Sequence, residues 1–227
     1  MLIFFRKRLF FTAAFILVSF LAFSINAQAD EQSGDQKKPL QIAVIPFHAL
    51  GSDGDHGGTV ICPICGIASS SGRISKDGEK IVEEIFIKDL LALKNVELIP
   101  PDKVESVYKR ISVESLRESS LDVLKKAGLE LKADYVATGY VYRYAERVGY
   151  RFSTERPASV VFEIHLIDSS NGNIIWRGFF DKTQKSLMED VFQISSFFKG
   201  GAKWLTARQL AEQGMNEIFK TFPDLQR

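Results

Sequence analysis

The chain has 227 residues, 45% of them hydrophobic, with 29 basic and 28 acidic side chains and two cysteines. So even a charge balance excludes nucleic-acid binding through a basic surface, and two cysteines are too few for a disulfide scaffold. The length allows one domain with a sizeable core and an appended segment.

Residues 1–29 read as an export signal: Arg6, Lys7 and Arg8, then the apolar run LFFTAAFILVSFLAF, then AQA ending at Ala29. The run of 15 residues is short of the roughly 20 that a spanning helix needs, so the expectation is cleavage after Ala29, a periplasmic location and no membrane span afterwards. The alternative is retention of the segment as an anchor. No cysteine lies near Ala29, so the signal is not of the lipoprotein kind. Cleavage removes three basic residues and no acidic one, leaving 26 basic against 28 acidic, a net charge of −2.

Residues 30–39, DEQSGDQKKP, carry no apolar side chain and read as a flexible tether. The domain is expected over 40–186 and a C-terminal helical extension over 187–227. LQIAVIPF from Leu40 is a nearly continuous apolar run, the pattern of a buried strand. A Gly-, Ser- and Asp-rich loop to about Ser75 follows. Helical spacing of Ile81, Ile85 and Leu90 predicts a first helix with Ser75 as its cap. VELIP at 96–100 predicts a short strand, and PPDKVESVYKRI a second helix with Pro101 in its first turn. ESLRESSLDVLKKAG predicts a third, ending near Gly128.

Three strands come next, in ADYVATGYVYRYAERV, ASVVFEIHLIDS and NGNIIWRGFFDK, the last two joined at the hairpin pair Asn171-Gly172. In the middle one Val160, Phe162, Ile164 and Leu166 alternate with Val161, Glu163, His165 and Ile167, one apolar face and one mixed, partly wet face. On that reading His165 is a hydrogen-bonded surface imidazole. SLMEDVFQISSFF and TARQLAEQGMNEIFKTF predict two C-terminal amphipathic helices. The fold class is α/β in the α+β sense: a mixed sheet of about five strands, helices mainly on one face, and a C-terminal helical extension.

IAVIPF (Ile42 to Phe47), KADYVATGYV (Lys132 to Val141) and FEIHLIDSSNGNIIWRG (Phe162 to Gly178) resemble the framework segments of a group of bacterial envelope proteins. That group comprises the TolB amino-terminal domain, the curli secretion component CsgG and the penicillin-binding-protein activator LpoB. The resemblance covers about residues 40–182 and implies a scaffold rather than a reaction. It implies a non-enzymatic interaction module, an accessory factor in envelope assembly or secretion that acts through an envelope protein partner. LpoB and CsgG are lipid-anchored, and this chain lacks the cysteine for such an anchor.

Three readings compete for Cys62-Pro63-Ile64-Cys65-Gly66. As a metal site, CPICG would join His48 and His56 in a four-ligand zinc set, a complete set at an unusual spacing. As a redox motif it would need a helix N-terminus beside the first cysteine, and GIASSSGRI intervenes before the helix. As a surface loop it would hold a local Cys62–Cys65 disulfide, the expected state of an exported pair, with no cofactor. Tyr140, Tyr142 and Tyr144, spaced along one strand face and followed by Arg147, Arg151 and Arg156, are the candidate partner-binding surface. Ser69, Ser70 and Ser71 lack a placed His and Asp. Phe192, Phe197, Phe198, Trp204 and Phe219 are expected to pack on the sheet.

Overall fold

The computed structural model describes residues 38–51, 57–150, 154–184 and 204–225. The expected signal, most of the tether, the SLMEDVFQISSFF helix, His56, Arg151 and Phe192, Phe197 and Phe198 lie outside them.

Leu40–Val44 (β1) runs parallel to both Val96–Leu98 (β5) and Tyr135–Ala145 (β6). The long apolar strands Ser159–Asp168 (β9) and Ile174–Thr183 (β10) extend β6 as an antiparallel meander. Numbered in chain order, the sheet reads β10-β9-β6-β1-β5, with His48–Ala49 (β2) pairing onto β6. Between β6 and β9 the short strands Val148–Gly149 (β7) and Thr154–Arg156 (β8) pair antiparallel with each other. The last meander turn forms where expected: Gly172 takes φ 81°, the left-handed region that favours glycine.

Gly78–Leu91 (α1) and Ala207–Ile218 (α4) pack on the face that carries Val160, Phe162, Ile164 and Leu166. Thr206 and Gln209 close a capping box on α4, and the turn after it lays Phe219 and Phe222 against Trp176, whose indole N–H donates to Thr221 at 3.2 Å. The α+β class, the mixed sheet and the C-terminal helix are therefore present. Cover extends to the second face as well: Pro101–Glu114 (α2) and Ser120–Leu131 (α3) bury Val104, Ile111, Leu124 and Ala127 against Ala43, Ile45, Val136 and Ile167. Among the described residues no helix is long and apolar enough to cross a membrane.

Helix boundaries depart from the sequence pattern for local reasons. Asp77, at φ 59°, precedes α1 with no side-chain cap; Ser75 is instead tied to the sheet, its amide donating to Tyr144. Ser119 caps α3 by accepting from the amide of Asp122, and the preceding Leu116 is exposed. Gly128 does not end this helix but lies within it, where a Cβ would come 2.5 Å from the Ser169 hydroxyl. The left-handed Lys132 ends it four residues later.

In β6, a Cβ on Gly139 would sit 2.4 Å from the ring of buried Phe47. Gly139→Ala should therefore destabilise the domain by about 1–3 kcal/mol, the usual effect of overpacking a core. Urea denaturation of the variant against the parent checks it.

Candidate metal centre

The segment expected to be a plain loop folds into a second, small ribbon. Gly58–Ile61 (β3) and Ala68–Ser71 (β4) pair antiparallel, and the turn joining them is the CPICG stretch. Cys62 closes the turn at both ends: its amide donates to Ile67 O at 2.9 Å, and its carbonyl accepts from Gly66, which stands at φ 71°. The backbone so wraps the sulfur of Cys62 that the amides of Ile64 and Cys65 point at it, at 3.4 and 3.5 Å. Two N–H donors aimed at one sulfur suit a thiolate.

This ribbon lies on the mixed face of the meander, with Cys62 buried against Tyr140, Tyr142 and Val161. That placement removes the water expected on this face: Glu163 and His165, two residues apart on β9 and so on one side of it, are both 0% exposed. Cys62, Cys65, Glu163 and His165 then offer one sulfur, one sulfur, one carboxylate oxygen and one imidazole nitrogen, all within 4.8 Å of one another. Cys65 Sγ lies 3.1 Å from Glu163 Oε1, His165 Nε2 lies 3.1 Å from the same oxygen, and Cys62 Sγ lies 3.9 Å from His165 Nε2. An ion held at about 2.3 Å from sulfur and about 2.0 Å from nitrogen and oxygen sets neighbouring tetrahedral donors about 3.3–3.8 Å apart. The observed separations bracket that range.

The surroundings hold the carboxylate in place. Tyr142 donates its hydroxyl to Glu163 Oε2 at 2.9 Å, and Arg177 donates Nε to Oε1 while its guanidinium lies over the Phe179 ring. Outer partners of this kind orient metal ligands and tune their basicity. They also dominate the acid–base behaviour. Burial alone would raise Glu163, but hydrogen bonds from His165, Arg177 and Cys65 outweigh it and hold the carboxyl down at about 2. Burial likewise works against the Cys62 thiolate, yet His165 and the turn amides bring this thiol down to about 7. Cys65 is pushed up to about 11 by burial and by the neighbouring Glu163 and Cys62. For His165 burial lowers the value, and contact with Cys62 and Glu163 raises it above its ordinary 6.5.

A cysteine–histidine–carboxylate nucleophile requires the imidazole to face the thiol with one nitrogen and the acid with the other. Here Nε2 faces both Cys62 and Glu163, and Nδ1 has no hydrogen-bond partner among the described residues. Cys62, at 1% exposure, is also closed to substrate. Donors that converge on one point, rather than relaying along a line, are arranged as a coordination shell. A thiol oxidoreductase needs an accessible low-pKa cysteine at a helix N-terminus; here the lowered thiol, Cys62, is the buried one, and the more accessible Cys65 is raised when no ion holds it.

The fold redistributes the residues that the sequence singled out. Cys62 and Cys65 are not bonded to each other in this structure, and both sulfurs lie in the donor cluster. His48 stays outside the donor cluster, stacked on Tyr140 and 3.3 Å from the Tyr108 hydroxyl. The tyrosine row is buried rather than laid out on the surface: Tyr140, Tyr142 and Tyr144 are 6%, 0% and 1% exposed. A register shift between Val141 and Arg143 turns the strand, so Tyr140 and Tyr142 lie under the ribbon while Tyr144 enters the core on the opposite face. Arg147 donates to Gly149 O within its own turn. His165 is buried rather than a surface imidazole, and Glu163 is the candidate donor that sequence reasoning passed over. The available signal was a Glu-x-His pair on one face of a strand whose central residues are otherwise apolar.

If the four residues hold a metal, thiol and imidazole protons leave when it binds. Affinity should therefore fall about tenfold for each unit by which the pH is lowered towards 7, where Cys65 carries the displaced proton. The fall should steepen to about a hundredfold per unit below pH 7, where Cys62 is protonated as well. Competition against a chromophoric zinc chelator from pH 8 to pH 6 measures both slopes.

No protein-family model and no curated protein matches the sequence. Among solved structures the fold is similar to PelC from Paraburkholderia phytofirmans, a dodecamer, at 14% identity and TM-score 0.46 over 83% of this chain and 91% of that one. It is also similar to a lipoprotein from Neisseria meningitidis, at 16% identity and TM-score 0.40 over 72% and 99% of the two chains. The LpoB C-terminal domain from Salmonella enterica is similar at 12% identity and TM-score 0.36, over 65% of this chain and 84% of that one. Of the resemblances read from the sequence, LpoB recurs among these likenesses of fold, and TolB and CsgG are not among these three.

Proposed function

We propose that this chain is an exported, non-enzymatic zinc protein of the bacterial envelope, in which one zinc ion pins the β3–β4 ribbon to the central sheet. The observation that carries the reading is the convergence of Cys62, Cys65, Glu163 and His165, brought together from segments some hundred residues apart. Two thiolates with an imidazole and a carboxylate form a mixed soft and borderline set that suits zinc better than calcium or magnesium, which take oxygen ligands. Four protein ligands close the shell, as in structural sites; catalytic zinc keeps a position for water. Charge supports the same choice. Two thiolates and a carboxylate bring three negative charges, which zinc and Arg177 together offset.

The ribbon's need for such a pin is visible in its composition. β3 and β4 read GTVI and ASSS, and the apolar anchors beneath them are few. The basic and apolar segment before Asp30 supports export, and the resemblance of residues 40–182 to LpoB-like envelope proteins supports an accessory role with an envelope protein partner. The test is reconstitution: the reduced mature protein is dialysed against zinc and then against metal-free buffer, and bound metal is counted by elemental analysis. About one zinc per chain, with a higher melting temperature than the chelator-treated protein, is expected. Metal below about 0.1 per chain under these conditions would overturn the reading.

A further inference from the structure

We propose that the cysteine pair makes zinc retention redox-dependent: oxidation of Cys62 and Cys65 to a disulfide ejects the ion, and reduction restores the site. This inference rests on the zinc reading above and adds its regulation.

Both sulfurs belong to one Cys-x-x-Cys turn, so a single bond between them removes two of the four ligands together. Their sulfur atoms already lie within the 4.8 Å cluster, and a disulfide requires about 2.05 Å. The turn that must contract is at the accessible tip of the ribbon: Pro63 and Gly66 are exposed, and nothing lies within 4 Å of the Cβ position of Gly66. Glu163 and His165, by contrast, are fixed on a strand that is buried on both faces. Cys65 and the exposed turn have room to close on the buried Cys62, whereas Glu163 and His165 are held within the sheet.

The two end states are balanced in charge. With zinc bound, the two thiolates and Glu163 are offset by the ion and Arg177. With the disulfide formed, the sulfurs are neutral and Glu163 still faces Arg177 and accepts from Tyr142, so loss of the metal leaves no unpaired buried carboxylate. Glu163 and a neutral His165 alone form a two-donor remnant, too few for a zinc site.

The chemistry is a thiol–disulfide exchange with a small disulfide such as oxidised glutathione. The half-buried Cys65 sulfur, kept as a thiolate by the bound zinc, attacks one sulfur of the reagent, forming a mixed disulfide and expelling one thiolate. The Cys62 sulfur then attacks the Cys65 sulfur, forming the Cys62–Cys65 bond and expelling the second thiolate. Two electrons pass from the cysteine pair to the reagent, and zinc leaves as the divalent ion.

The experiment takes the full mature protein, reduced and loaded with zinc without oxygen, and adds oxidised glutathione. Released zinc is read with a chromophoric chelator, and free thiols are counted by alkylation and mass spectrometry. About one zinc released for every two thiols lost is expected, with rebinding after dithiothreitol and fresh zinc. Thiol loss with zinc retained would overturn the inference while leaving the zinc reading in place. So would hours of exposure to excess reagent with neither thiol loss nor zinc release. Failure to load zinc before the oxidant is added would remove both, and is visible as a separate first step.

Discussion

Replacing Cys62 by Ser should abolish zinc retention and lower affinity by about two to three orders of magnitude. A structural zinc site is worth about 10–16 kcal/mol across four ligands, so one ligand carries about 3–4 kcal/mol, and each 1.4 kcal/mol is tenfold. Cys65→Ser should match it, because both sulfurs serve one ion. The informative control is His48→Ala. His48 precedes the ribbon closely in sequence and pairs with Cys62 in the sequence-based ligand set, yet it is occupied by Tyr108 and Tyr140 and stands apart from the donor cluster. This variant should keep about one zinc per chain. His165→Ala, more than a hundred residues from Cys62, should lose it. Elemental analysis of the four proteins after identical loading decides between the two ligand sets.

Glu163→Gln has the second largest expected effect, and it acts even without metal. Glu163 is fully buried and accepts from Tyr142, Arg177, His165 and Cys65, contacts that need no ion. The glutamine keeps the volume but weakens the hydrogen bonds from the partly exposed Arg177 and from Tyr142 to a charged acceptor, a change that costs about 1.5–3 kcal/mol. For a domain of this size that lowers the melting temperature by roughly 3–12 °C. The pH dependence separates loss of charge from a general packing defect. The folded-state pKa of Glu163 lies at about 2, below its ordinary 4.5, so its stabilisation is complete above about 4.5 and is lost as pH falls towards 2. The parent should therefore lose stability across that interval more steeply than the variant. Parallel profiles displaced by a constant amount would assign Glu163 a packing role only.

The scaffold was legible because its signals are local. Apolar runs in β1, β6 and β9, the Asn171-Gly172 turn and the amphipathic pattern of α4 each lie within a dozen residues and are decided by alternation, turn chemistry and capping. The site was half legible for the opposite reason. Cys62 and Cys65 announce themselves by spacing, but their partners are ordinary residues on a strand about a hundred positions away. Glu163 and His165 read as a wet face because the segment that dries them, with its Gly and Ser content, carries the composition of a loop. Its strands are only four residues each and gain their order from the sheet beneath. The tyrosine row misleads through one extra residue. The irregularity at Tyr142 reverses the side on which every later side chain falls, and strict alternation cannot express it.

The most direct test is X-ray absorption at the zinc edge on the reduced, reconstituted mature protein, because it counts ligand types around the ion itself. The expected first shell is two sulfur atoms at about 2.3 Å and two nitrogen or oxygen atoms at about 2.0 Å, with one imidazole visible in the outer-shell scattering. A shell without sulfur, or one with two imidazoles, would contradict the assignment of Cys62, Cys65, Glu163 and His165 as the metal centre.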